Sequence, residues 1–453
     1  MKPLVVRIDI NGENLLEAVK MKLKHLSLKT TVGAALILGV AVPAYAQTFS
    51  EVVQNAIAMY PTIVAAKAKT EAQRADIDRA RAAHMPQISY GYARSKYANT
   101  DLPASVNRNT RSPSVRFNLW SGGRIEADAE RAEALTYGSE QQEALTRDDV
   151  ALQAAEAYIN WARAVDMFDL ASKNLESHRI TLDDIQKIVD VDTGRRIDLE
   201  QAQVRMDSAS LSKLQRQTEL NQARVRLARF WQGSLPAKPV GLKEALQPNG
   251  RLGPVPQSIE QVNELISDDL PAIAQQKAQV KAAEAALIVA KGQYWPTVDL
   301  TSTRQLNPVT TPGLFGTTTY KEDTFTQVQL NMPLYSGGAT DAAVRTAMGQ
   351  LTAAQSTLDE ARMVAREKSG LAYQDWLNAQ GRAIQGESQA RVGDKVVEGY
   401  RLQFRLARRQ LLDLLNIQAE AFNYKSSATA AFYDEQVARA RLLATMGDLA
   451  KRF

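Results

Sequence analysis

Leu119-Trp120-Ser121-Gly122-Gly123 and Leu334-Tyr335-Ser336-Gly337-Gly338 are one five-residue phrase written twice, 215 residues apart. In each copy an alternating segment ends on an aromatic residue, a Ser-Gly-Gly turn follows, and a long stretch without proline begins. Downstream the offset persists: Tyr158 and Trp161 recur as Tyr373 and Trp376, Asp198-Leu199 as Asp413-Leu414, and Gln203 as Gln418. Upstream it is 210 residues, matching Tyr60-Pro61-Thr62-Ile63 with Leu270-Pro271-Ala272-Ile273 and Pro86 with Pro296. The five-residue gain falls between Pro296 and Ser336. Solenoid repeats run to about 20–50 residues, so this period marks a duplicated, domain-sized unit.

Each unit has one layout. A helical stretch over Phe49–Ala83, matched by Ile259–Lys291, runs up to a proline that cannot continue it. A β-hairpin follows, over 86–120 and again over 296–335. A long helical region comes next, with no proline from Ser114 to Leu235 or from Leu334 to Phe453. At ~1.5 Å per residue, the span from Gly338 to Phe404 predicts a helix about 100 Å long. Ala347, Leu351, Ala354, Leu358, Ala361 and Ala365 recur in steps of four and three, as do Ala278, Ala282, Ala285 and Val289. That is a coiled-coil seam of small residues, which lets helices approach closely. The predicted organisation is a first repeat over 47–232, a Pro/Gly-rich link over 233–257 and a second repeat over 258–453. Ser121-Gly-Gly and Ser336-Gly-Gly lack the rest of a phosphate-loop motif and read as turns.

The short segments alternate with period two. Val115, Phe117, Val328 and Leu330 fall on one face, with Ser114, Arg116, Gln327 and Gln329 on the other. Ile88, Tyr90 and Tyr92, with Val298 and Leu300, continue the apolar set, and Leu119, Met332 and Leu334 extend it. The segments suit outer-membrane strands of ~9–11 residues, although a small soluble sheet packed on a helix would alternate too. Trp120, Trp295 and Tyr335, near strand ends, suit an interfacial aromatic girdle. The first set is therefore expected to face lipid and the second a lumen. Four strands per chain cannot close a barrel, which takes at least about 8. An open edge in lipid would leave unpaired N–H and C=O groups, whereas three chains would supply twelve strands.

The N-terminus reads as an address. Lys22, Lys24, His25 and Lys29 precede the apolar run Val32–Val42, and Ala44-Tyr45-Ala46 forms an A-x-A cleavage site. Residues 1–46 are predicted to be a secretory signal peptide, with Met21 a candidate true start and Ala44 and Ala46 marking the cut. The apolar run is shorter than the ~20 residues of a spanning helix. Among 453 residues there is no Cys, so no disulfide, thiolate metal site or thiol nucleophile can form. The three histidines, His25, His84 and His178, have no zinc spacing. The net charge of +5 includes +3 from the leader and lacks the concentrated basic face of a nucleic-acid binder. No catalytic constellation emerges, and neither enzyme activity nor a cofactor or metal is expected.

Taken together, the leader, the tandem helix–hairpin–long-helix unit and one further motif resemble the TolC-like outer-membrane efflux and export channels. The motif is Phe404-Arg-Leu-Ala-Arg-Arg-Gln-Leu-Leu-Asp-Leu-Leu-Asn-Ile-Gln418, with a reduced copy at Thr193-Gly-Arg-Arg-Ile-Asp-Leu-Glu-Gln-Ala-Gln203. The resemblance covers residues 47–453. It implies a mainly α chain with a β-barrel contribution: a homotrimer with a twelve-stranded barrel in outer-membrane lipid and a periplasmic coiled-coil tunnel. It also implies a periplasmic adaptor (membrane fusion) protein and an inner-membrane ABC transporter or proton-driven pump as partners. The duct would be passive and would serve type I protein secretion. Multidrug or small-molecule efflux is the alternative, and a periplasmic adaptor or structural coiled-coil protein a second one. Residue by residue, the resemblance makes Asp413 the carboxylate of the closed periplasmic entrance, Arg409 the arginine that locks the tip and Asp198 the acidic residue of the first tip. Asn416 stands where a second acid is usual, Phe404 where tyrosine is common, and Ala407 in place of the turn glycine.

Overall fold

A computed structural model of the chain describes residues 48–97, 106–231, 238–247, 250–306, 309–313, 316–320, 322–406 and 408–453. The predicted leader, with Ala44, Ala46 and Met21, lies outside the described residues, as does Ala407.

Each half begins with two helices where the sequence suggested one. Helix α1 (Phe49–Met59) starts on a reciprocal cap: Glu51 N–H donates to Thr48 Oγ1, and Thr48 N–H donates to the Glu51 carboxylate at 3.0 Å. Pro61 then opens α2 (Pro61–Arg81) at a first-turn position, where the missing N–H costs nothing. The two Pro-led helices, α2 and its second-half counterpart, each end in a 3-10 turn, Ala82–His84 and Gly292–Tyr294, before the strand.

Strands β1 (Gln87–Tyr97) and β2 (Val106–Trp120) form the first hairpin. Strand β2 is 15 residues long and passes through Pro113. The proline is tolerated because the ladder to the next strand begins only at Ser114. After Gly122 and Gly123, both with positive φ, comes α3 (Arg124–Val189), then a turn and α4 (Arg196–Ala228). A single helical turn, α5 (Leu242–Ala245), lies in the link.

The second half repeats the order with α6 (Ile259–Leu265), α7 (Pro271–Lys291) and β3 (Thr297–Gln305). A two-stranded ribbon, β4 (Val309–Gly313) with β5 (Gly316–Tyr320), stands between β3 and the next strand of the main sheet. Then come β6 (Asp323–Asn331), α8 (Ala339–Arg405) and α9 (Leu411–Thr445). The main sheet is antiparallel, in the order β1-β2-β3-β6, so the halves join at β2–β3 and the outer edges are β1 and β6.

Helices α3 and α8 have 66 and 67 residues, about 100 Å each at ~1.5 Å per residue. Both end without proline, at short turns that reverse the chain. The alanine seam is real: Ala278, Ala282, Ala285 and Ala347 are buried, with Leu358 at 8% exposure. The largest core lies where α1, α3, α4, the link and α9 meet, around Phe49, Tyr158, Ile159, Trp161 and Leu227. There the matched tyrosines do one job twice. The Tyr158 hydroxyl donates to Val240 O at 2.7 Å and accepts from Val240 N–H at 2.9 Å. The Tyr373 hydroxyl donates to Gln257 O at 2.8 Å. The two ends of the link are thus tied to the two long helices.

Candidate channel faces and periplasmic tip

Directly paired residues of an antiparallel sheet share a face. The register couples Ile88 with Val115, Phe117 with Leu300, Leu300 with Val328, and Val298 with Leu330. Val115, Phe117, Val328 and Leu330 therefore form one continuous apolar face, and Val328 and Leu330 are 64% and 65% exposed. Apolar area on that scale, left open, calls for an apolar surrounding. The opposite face carries Ser114 with Thr303, Arg116 with Thr301, and Gln327 and Gln329. On it, Arg116 lies 3.0 Å from Asp299, which also accepts from Asn118 at 2.9 Å. Phe325, paired with Thr303, sits on this polar face too, a placement that the alternation of β6 contains but the sequence reading passed over.

Two details depart from simple alternation. A bulge between Asn118 and Trp120 puts Trp120, not Leu119, opposite Val298. Strand β6 ends at Asn331, so Met332 and Leu334 lie beyond it. At the helical end of the sheet Trp120 and Trp295 meet edge to face, with ring centroids 6.4 Å apart, whereas Tyr335 is 88% exposed.

The far end of the helical part is built from two hairpin tips. Asp192 caps the first by accepting Gly194 N–H, and Arg195 holds Asp198 at 2.7 Å. In the second, Phe404 is buried with Ile185, Ala202, Leu411, Leu414 and Leu415. Its missing hydroxyl thus costs no polar contact; it serves as an apolar plug between the tips. Arg409 lies 4.4 Å from the Tyr400 ring centroid, 3.1 Å from Gln403 Oε1 and 3.5 Å from Asp413. All three contacts come from its own hairpin. Arg409, Asp198 and Phe404 line one groove between the tips, together with Asp184, Arg195 and Arg405. Asp413 and Asn416 stand outside it, and Asn416 accepts from Arg205 at 3.1 Å. Tyr400 and Arg205 were missed; the only signal was an aromatic residue one turn before Phe404.

Above the tip, His178 is 4% exposed, and burial, with Arg205 nearby, lowers its pKa. Among the described residues no helix is long and apolar enough to cross a membrane, and no cluster has metal-ligand spacing.

The sheet thus carries one exposed apolar face and is continued by two helical hairpins, each with one arm of about 100 Å. The Outer membrane efflux protein family model matches residues 52–233. The chain is 25% identical to the Outer membrane efflux protein BepC of Brucella suis over 433 residues, covering 92% of this chain and 90% of the relative. It is 21% identical to the Outer membrane protein TolC of Escherichia coli over 422 residues, covering 89% and 83%. The crystal structure of CusC superposes with a TM-score of 0.77 at 16% identity, covering 88% of this chain and 92% of that one. These similarities agree with the resemblance read from the repeat and the tip motif. The chain is thus similar to outer-membrane efflux proteins along most of its length and shares the fold of CusC.

Proposed function

We propose that three copies of this chain form a passive duct that carries substrate from an inner-membrane transporter, through a periplasmic adaptor, across periplasm and outer membrane. One observation carries this reading. The first Ser-Gly-Gly junction is covered by the second repeat: a Cβ on Gly122 would lie 2.6 Å from Trp295 Cβ and 2.9 Å from Gly292 O. At Gly337, the match of Gly122, nothing among the described residues lies within 4 Å, while Gly123 and its match Gly338 are open alike. The second junction therefore lacks the cover that the first possesses, just as β6 lacks the neighbour that β2 has. The first repeat of another copy supplies the matching piece, because Met85 corresponds to Trp295 and Tyr335 to Trp120. Three such head-to-tail joints close twelve strands.

The chain has no cysteine, so a Met85→Cys/Tyr335→Cys pair tests the joint cleanly. The expected result is a cross-linked species of three chains in detergent. A chain that stays monomeric, with Trp120→Cys/Trp295→Cys closing normally within it, would refute the assembly.

Within this reading Asp413 lines the narrow end of the tunnel and Arg409 holds the tip shut. Converging carboxylates concentrate negative potential, so Asp413→Ala should reduce cation selectivity in a planar bilayer with assembly intact. Type I protein secretion is the preferred cargo route, supported by the Arg408–Asn416 motif. Small-molecule efflux is the second reading, favoured by the description of the family model and of BepC. Identifying the inner-membrane protein cross-linked to the tips separates them: an ABC transporter for the first, a proton-driven pump for the second.

A further inference from the structure

We propose that Arg94 and Arg111, at the outer end of the apolar sheet face, dock phosphorylated glycolipid headgroups of the outer leaflet. The proposal rests on the lipid-facing assignment of that face. The register pairs Tyr92 with Arg111 and Arg94 with Asn109, so the two arginines are diagonal neighbours on the side that carries Ile88, Tyr90, Val115 and Phe117. Diagonal positions lie about 7–8 Å apart, within reach of two long side chains meeting one ligand.

Both arginines are exposed. Among the described residues neither has a carboxylate in ion-pair reach. Arg304, on the same face, is neutralised by Glu322, and Arg116, on the other, by Asp299. The uncompensated charge is therefore confined to β1 and β2. Lys96, opposite Asn107, is the next basic position of the same alternation.

Height fits as well. Arg111 precedes Trp120, at the helical end of the apolar face, by nine residues less one bulge. At ~3.3 Å per residue and a ~40° tilt this is roughly 20 Å, close to the ~25 Å apolar band of an outer-membrane barrel. Tyr92 lies level with Arg111 and Tyr90 just below, at the height that aromatic rings prefer. Guanidinium forks at that height match phosphate monoesters bidentately. The helical hairpins lie at the other end of the strands, in the periplasm, so this end looks outward.

The test uses the full protein in neutral detergent, with diphosphoryl lipid A titrated and retained lipid read by native mass spectrometry. Arg94→Gln/Arg111→Gln should weaken retention roughly thirtyfold, the factor for two charges at about 1 kcal/mol each. Arg116→Gln, on the opposite face, should leave it unchanged, and dephosphorylated lipid A should bind wild type and double variant alike. Equal retention of diphosphoryl lipid A by wild type and double variant would overturn the proposal. So would inorganic phosphate that displaces the lipid at millimolar concentration, which would assign a free-anion site. Val115→Cys and Arg116→Cys, probed with lipid-soluble and water-soluble maleimides, keep the two readings apart. Val115→Cys reacting only from water sinks the face assignment itself, whereas normal labelling with unchanged lipid affinity sinks the patch alone.

Discussion

Helices α3 and α8 are the same element in the two halves of the chain, yet they live in different surroundings. Twenty positions of α3 are buried against eight of α8, at nearly equal length. Helix α3 is enclosed by α1, α2, α4, α7 and α9, while α8 meets α6, α7 and α9. The far side of α8 shows Met363, Leu371, Leu377 and Ile384, all 44% exposed or more. The contrast repeats at particular matched positions. Asp148 is buried where Met363 is exposed, and Gly122 is covered where Gly337 is bare. Asp198 is held by Arg195 three residues back, Asp413 by Arg409 four residues back. Duplication supplied two equivalent scaffolds; the first is completed within the chain and the second is left with a surface to fill.

The largest expected effect lies at the tips. Phe404, 8% exposed, has Val189 as its counterpart, and only Phe404 plugs the cluster between the hairpins. Phe404→Ala should cost about 4 kcal/mol in chemical denaturation, and Val189→Ala less than half of that. Similar losses would mean that the tips are packed alike.

At the junctions, Gly122→Ala should cost about 3 kcal/mol, combining left-handed strain with overpacking. Gly337→Ala should cost about 1 kcal/mol in dissociated monomer, from strain alone. In assembled protein the second variant should approach the first, because the neighbouring copy restores the cover. A Gly337→Ala effect that ignores the state of assembly would break the equivalence.

Asp148 sharpens the contrast through pH. Burial lifts its pKa from 3.8 to about 6, although it accepts Ala450 N–H at 2.7 Å. The folded state thus holds the proton more readily than the unfolded one. The cost of ionising it is present above pH 6 and fades as pH falls toward 3.8. Asp148→Asn should therefore raise stability by about 2 kcal/mol at neutral pH and do nothing near pH 4. A melting temperature that gains equally at both pH values would place the benefit elsewhere.

The smallest stability effects belong to the tip arginines, both partly exposed. Arg409→Ser and Arg195→Gln should each cost under about 1 kcal/mol. They should differ in function: the first raises single-channel conductance and the second leaves it near wild type. Equal conductance changes would make both tips gates.

Much of this was legible in residues alone. The offsets of 210 and 215 located both copies, the period-two segments assigned both faces of the sheet, and the absence of proline foretold the long helices. What stayed hidden depended on distant partners. Strand β2 runs through Pro113 because of where β3 stops pairing, which no local rule contains. The ribbon over 309–320 stands in a stretch whose Pro and Gly content reads as loop. For Arg409, the likeness implied a lock without naming its partners, and the Tyr400 ring is one of three groups of its own hairpin that it meets. Helical spacing alone does not separate a stacking aromatic from a buried one.

The strand-to-helix junctions also make each long helix a lever. Strand β2 hands over to α3 through Ser121-Gly122-Gly123, packed on the Gly292–Trp295 turn, without a hinge segment. With the fulcrum fixed at one end and an arm of about 100 Å, a swing of about 5° moves the far end by about 9 Å. Rotations too small to disturb the sheet are thus amplified into displacements wider than a hydrated ion.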